Sequence, residues 1–225
     1  MLSDLDLRSL SELIALASPP ACVLCRRELS CHTVKVCPDC AGRVAGAKPS
    51  SELGQRWVGR ITTAGPYSGV AGELVRSLKF RRLRLAAVEG AAMIGRALDL
   101  THPTLTADEP VIVPVPPAPL RWLARGFDAA EELAIALSTR LELPYLRLLE
   151  RSNSPRQTGR GRRQRISEPP QVSLVRGVSL PEAPVLLVDD VTTTSSTLES
   201  CGRTLREAGI RRVDAVCLAR TGSPI

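Results

Sequence analysis

Apolar and polar positions along the 225-residue chain change their period several times, and each change marks an element. Leu5, Leu7, Leu10, Leu13, Ile14 and Ala17 recur at a mostly helical spacing and predict a short amphipathic helix, stopped by Pro19 and Pro20. Residues 42–55, GRVAGAKPSSELGQ, hold no period and read as a polar linker. Beyond it the pattern predicts a strand at 57–64, helices at 70–80 and 84–99, and a strand at 111–115. A helix at 128–141 follows, with Leu133, Ile135, Ala136 and Leu137 on its packing side, then short strands at 144–149 and 213–218. Strands alternating with helices predict an α/β fold, a central parallel sheet flanked by helices.

The segment PVLLVDDVTTTSST, 184–197, organises this second part. Val185, Leu186, Leu187 and Val188 are continuously apolar, as in a strand covered on both faces. Asp189 and Asp190 follow at its carboxyl end, where open α/β sheets bind ligands. Thr192, Thr193, Thr194, Ser195, Ser196 and Thr197 then lead into LESCGRTLREAG, a helix ended by Gly209. Hydroxyls and free amides at a helix start suit a phosphate, and adjacent carboxylates can accept hydrogen bonds from vicinal hydroxyls. A ribose 5-phosphate has both groups. A strand ending in two acids before an ordinarily capped helix is the structural alternative. The acid-ended strand of a P-loop nucleotidase is excluded, because no GxxxxGK[ST] loop occurs in the chain.

The amino-terminal part carries different chemistry. Cys22-x2-Cys25 and Cys37-x2-Cys40 are separated by eleven residues, a spacing that brings four thiolates around one tetrahedral ion. Four cysteines with no open position point to a structural zinc site; disulfides are the alternative. Cys31 and His32 lie between the pairs and are read as bystanders. Cys201 and Cys217 are read as small buried hydrophobes.

Composition narrows the partners. Thirty Lys and Arg against 23 Asp and Glu give a net charge of +7, which favours nucleic acid or phosphorylated small molecules. Six aromatic residues are too few for a stacking platform to be the main device. No run of eighteen apolar residues and no secretory signal pattern is present, so no membrane insertion and a cytoplasmic location are expected. Two basic stretches stand out. Arg76, Lys79, Arg81, Arg82 and Arg84 close the helix at 70–80, and Arg151, Arg156, Arg160, Arg162, Arg163 and Arg165 fill the weakly apolar segment 150–170. Either reads as a solvated surface or as a phosphate contact, and the second stretch could meet pyrophosphate or a nucleic-acid backbone.

Three motifs together carry a resemblance. LLVDDVTTTSSTL resembles the phosphoribosyl pyrophosphate signature of type I phosphoribosyltransferases, with Ser195 where that signature has Gly. PVP at 114–116 resembles their pyrophosphate loop. With Arg125, Gly126 and Phe127 it narrows the likeness to the ComF family, of the ComFC and GntX kind, where Asp128 and Ala129 replace the usual Asn-Gln. The four-cysteine module completes the order, and the resemblance covers nearly the whole chain.

It implies an amino-terminal helix and zinc module over 1–50 and a phosphoribosyltransferase-like domain over 57–225. The implied substrate is phosphoribosyl pyrophosphate with Mg2+, and the implied partners are single-stranded DNA and a competence helicase or DNA-processing protein. Asp189 and Asp190 would hold the ribose hydroxyls, Thr193, Thr194, Ser195, Ser196 and Thr197 the 5-phosphate, and Val115 and Pro116 with Arg125 the pyrophosphate. The alternative is a catalytically inactive nucleotide- or DNA-binding protein of the competence machinery. An ionised Asp128 facing the site would weaken anion binding.

Overall fold

The computed structural model describes residues 20–31, 35–81, 84–117, 127–151 and 171–222. The expected helix at 3–17, His32, Arg82, Arg125 and the arginines of 156–165 lie outside the described residues. The chain divides into two compact units, Met1–Gly46 and Ala47–Ile225.

In the first unit, backbone bonds close a tight turn over the first cysteine pair: Cys22 N–H donates to Arg27 O and Arg26 N–H to Cys22 O. Arg26 sits at φ 68°, the left-handed conformation that lets the chain reverse there. The second pair opens helix α1, Pro38–Ala45, with Cys37 as its cap and proline in its first turn, where a missing N–H costs nothing.

The second unit is a five-stranded sheet in the order β1-β2-β7-β6-β3. Strands β2 (Arg60–Thr63), β3 (Val111–Pro114), β6 (Val185–Thr192) and β7 (Val213–Arg220) run parallel, and β1 (Ser50–Leu53) pairs antiparallel on the β2 edge. The fold is therefore a mixed, mostly parallel sheet flanked by helices, as the alternating pattern predicts. β1 falls within the expected linker. SSEL alternates weakly and is only half buried, so nothing in its pattern separates an edge strand from a loop. Strands β4 (Leu149–Arg151) and β5 (Val172–Leu174) form a separate antiparallel pair, and Tyr145 makes a single bridge to Ile112 where a strand over 144–149 was expected.

Helices α2 (Val70–Arg81), α3 (Leu85–Thr101) and α4 (Ala129–Leu141) cover one face, and α5 (Ser196–Glu207) the other. Both faces of the central strands are consequently dry: Val185, Leu186, Leu187 and Val188 are buried, which explains their unbroken apolar run. Leu187, Ala215 and Cys217 pack with Leu198, Cys201 and Leu205 of α5. On the opposite face Gly90 of α3 lies so close to Leu133 and Leu218 that a Cβ there would approach them to 2.7 and 3.0 Å. Burial of each such Leu or Val contributes roughly 1.5–3 kcal/mol. Cys201 and Cys217 belong to this core. Burial pushes the Cys201 thiol up to about 12 and Cys217 well above its ordinary value, so both stay protonated and unreactive.

Candidate functional site

The sulfurs of Cys22, Cys25, Cys37 and Cys40 all lie within 4.8 Å of one another. Four Zn–S bonds of about 2.3 Å would place sulfurs at separations of this order, so the donor set fits a tetrahedral thiophilic ion. Burial alone would raise the Cys22 thiol, but the amides of Cys25, Cys37 and Leu24 outweigh it and bring it down to about 6. Cys40, buried among the other three sulfurs, is pushed up to about 12. Crowded thiols give up a first proton readily and resist losing the rest until a cation is present. The exposed Arg27–Asp39 ion pair, at 2.6 Å, links the two turns that carry the cysteine pairs. Cys31 is exposed and is not one of the clustered four.

The parallel strands β3, β6 and β7 end on one side of the sheet, and their following residues enclose a cleft of about 470 Å³. Asp189 and Asp190, in the carboxyl-terminal half of β6 and not past its end, form one wall with Thr193 and Thr197, which follow the strand. Val115, Pro116 and Pro117 form the wall beyond β3, and Phe127 and Asp128 stand at the start of α4. These residues come from motifs far apart in the chain and meet because their strands are neighbours in the sheet. The acids are held firmly. Asp189 Oδ1 accepts from the N–H of Asp190 at 2.8 Å, and the Asp190 carboxylate is paired with the ammonium of Lys79 on α2. Arg151, at the end of β4, also lines the cleft and donates through Nε to Pro116 O at 3.1 Å. Tyr67 closes the rim, with the Arg76 guanidinium 5.4 Å from its ring centre. Within the basic run 76–84, then, Lys79 faces the cleft.

The hydroxyl loop divides between two hollows. Thr193, whose hydroxyl is 2.6 Å from that of Thr221, and Thr197 belong to the cleft. Thr194 and Ser195 line a second hollow, with Glu52, Gly54 and Arg220, on the side of the β1–β2 connection. Ser196 is exposed and accepts from the Thr194 hydroxyl at 3.1 Å. Ser195 caps α5 at φ 58°, ψ 4°, the left-handed geometry that glycine adopts without penalty. The serine keeps the turn that the signature's glycine makes, at a cost of about 1 kcal/mol.

Two acids beside these loops are held by different sets of donors. Glu199, in the first turn of α5, accepts from the N–H groups of Gln55 (2.6 Å), Arg56 (3.2 Å) and Trp57 (2.8 Å). Three residues on, Gly202 leaves space for the same connection: a Cβ there would lie 2.8 Å from Val58 Cγ2. Asp128 caps α4 and accepts one bond, from Ala130 N–H at 3.2 Å. Burial, the Ala130 amide notwithstanding, lifts its carboxyl to about 7, and the nearby charges of Asp189 and Glu131 add to the rise.

Two competence proteins are similar to this chain in sequence. Competence protein ComFC of Streptococcus pneumoniae (strain ATCC BAA-255 / R6) is 32% identical over 108 residues, 48% of this chain and 47% of that protein. Competence protein F of Haemophilus influenzae (strain ATCC 51907 / DSM 11121 / KW20 / Rd) is 33% identical over 114 residues, 48% and 49%. The chain resembles the ComF competence proteins. It spans about half the length of the curated ComF relatives it matches. No family model matches. Among solved structures, the allosteric regulatory enzyme of purine biosynthesis aligns with a TM-score of 0.34 and 23% identity over 48% of this chain and 22% of that one. The purine phosphoribosyltransferase from Pyrococcus horikoshii Ot3 gives 0.37 and 20% over 60% and 72%. Among the described residues no helix is long and apolar enough to cross a membrane.

Lys79, Arg151 and Glu199 carry no motif of their own. Lys79 and Arg151 lie inside basic stretches whose other members look the same in sequence. The partners of Glu199 are more than 140 positions away.

Proposed function

We propose that the cleft at the strand ends binds phosphoribosyl pyrophosphate with Mg2+ and that residues 57–225 act as a phosphoribosyltransferase. The observation that carries this is the meeting of two motifs in one cleft: Asp189, Asp190, Thr193 and Thr197 on one wall, Val115 to Pro117 with Arg151 on the other. In this reading the acids hold the ribose hydroxyls. Thr193 and Thr197, with the amides that open α5, take the 5-phosphate, while Thr194 and Ser195, which line the second hollow, and Ser196 shape the loop between them. Val115, Pro116, Arg125 and Arg151 border the pyrophosphate; Mg2+, when bound there, would supply a hard cation to offset the leaving group's charge. Pyrophosphate leaves C1 of the ribose, and an acceptor nucleophile bonds there.

Calorimetric titration with phosphoribosyl pyrophosphate, with and without Mg2+, tests the reading. Saturable Mg2+-dependent binding, lost when Asp189 and Asp190 are both changed to Asn, is expected; no binding at millimolar ligand would overturn it.

The four-cysteine cluster holds one structural zinc in this proposal, supported by the mutual approach of its sulfurs. Metal analysis should give about one zinc per chain, and Cys40→Ser should lower that ratio at least severalfold. An unchanged ratio would place the metal elsewhere.

A link to DNA is a second reading, favoured by the similarity to two competence proteins and by the net charge of +7. Single-stranded DNA binding that weakens, with a shallower salt dependence, on charge reversal at Arg162 and Arg163 would support it. Unaltered binding would move any such contact away from that segment.

A further inference from the structure

Among the described residues the charged side chains lining the cleft are three carboxyls, Asp128, Asp189 and Asp190, and two cations, Lys79 and Arg151. Lys79 is already committed to Asp190. With all three acids ionised, this lining opposes a polyanion. Asp189 and Asp190 are stabilised as charges by an amide donor and an ammonium, respectively. Among the described residues Asp128 accepts one bond, at 3.2 Å from Ala130 N–H. It is half-buried at the helix start, and it faces the field of Asp189. The basic residue of its own helix, Arg140, lies in the last turn, at the far end from Asp128. Glu131 accepts from the Tyr145 hydroxyl at 3.1 Å, and among the described residues the exposed Arg147 guanidinium, 3.5 Å from Glu131, acts on Asp128 as a positive charge.

We propose that Asp128 determines when the cleft accepts a polyphosphate: its neutral carboxyl admits the anion and its carboxylate repels it. This rests on the reading of the cleft as a phosphoanion site. The neutral carboxyl leaves two acids against two cations and can still accept from Ala130 N–H while its O–H turns toward a ligand oxygen. A rise of its proton affinity to about 7 puts the exchange within the ordinary working range. A bound anion raises it further, so binding and protonation reinforce one another.

The test uses inorganic pyrophosphate as the probe and compares the full-length chain with Asp128→Asn, an amide of the same shape that keeps the cap. The ratio of the two dissociation constants cancels the probe's own ionisation. It should be near one at about pH 6 and grow to about tenfold by about pH 8.5, the chain with Asp binding more weakly. A ratio that stays flat overturns the role of Asp128 and leaves the anion site standing. No binding to either protein at any pH overturns the reading of the cleft itself, and the inference with it. Calorimetry of the unaltered chain in buffers of different ionisation heat gives a second measure that needs no variant. Binding above neutral pH should take up a proton beyond what pyrophosphate exchanges; no extra uptake overturns the proposal.

Discussion

Helices α4 and α5 both begin beside the cleft and both carry an acid near their amino terminus, yet the two acids are held by different sets of donors. Glu199 of α5 accepts from three backbone N–H groups of the 55–57 turn. These bonds tie the first turn of the helix to the β1–β2 connection. Asp128 of α4 has a single amide and two neighbouring acids, and its proton stays on to about 7. Helix position alone does not fix the proton affinity of an acid; burial comes first at Asp128, and donors and neighbouring charges follow.

The comparison breaks most visibly at Glu199. Glu199→Ala should strand three amides and cost about 3 kcal/mol or more in urea unfolding of the full chain, with Glu199→Gln falling between. A loss below about 1 kcal/mol would mean the carboxylate does not hold the turn.

At Asp128 the effect is smaller and depends on pH. Its folded-state value, about 7, lies above the ordinary 3.8, so the native chain binds this proton more tightly than the unfolded one. The stability it contributes is complete below about pH 4 and is lost as pH rises through about 7. Asp128→Asn should therefore match the parent near pH 4 and exceed it by on the order of 2 kcal/mol at pH 8, about half the full shift because the carboxyl is partly exposed. A stability difference independent of pH would remove Asp128 from the comparison.

The smallest expected change sharpens the start of α5 itself. Ser195→Gly should gain about 0.5 kcal/mol, relief of the left-handed φ outweighing the more flexible unfolded chain. Ser195→Ala, which keeps the strain and removes the hydroxyl 3.4 Å from that of Thr192, should gain nothing. A destabilised Gly variant would show that the turn is held by the serine hydroxyl.

Features carried by contiguous residues were legible in the sequence. Val185–Val188 as a doubly covered strand, the helices near 70–80, 84–99 and 128–141, and the cysteine spacing follow from local period and short-range geometry. The order of motifs also marked which loops carry the unusual residues, including Ser195 at a glycine position. Tertiary structure alone decided what those residues meet. The 2-7-6-3 strand order brings Asp189 beside Pro116, selects Lys79 from a run of cations to face Asp190, and recruits SSEL as an edge strand. It also gave Glu199 three donors and, among the described residues, Asp128 one, and it buried Asp128 beside other acids, which raises its proton affinity. Proton affinity depends on burial and on partners distant in sequence, and neither is written in the residues adjacent to the acid.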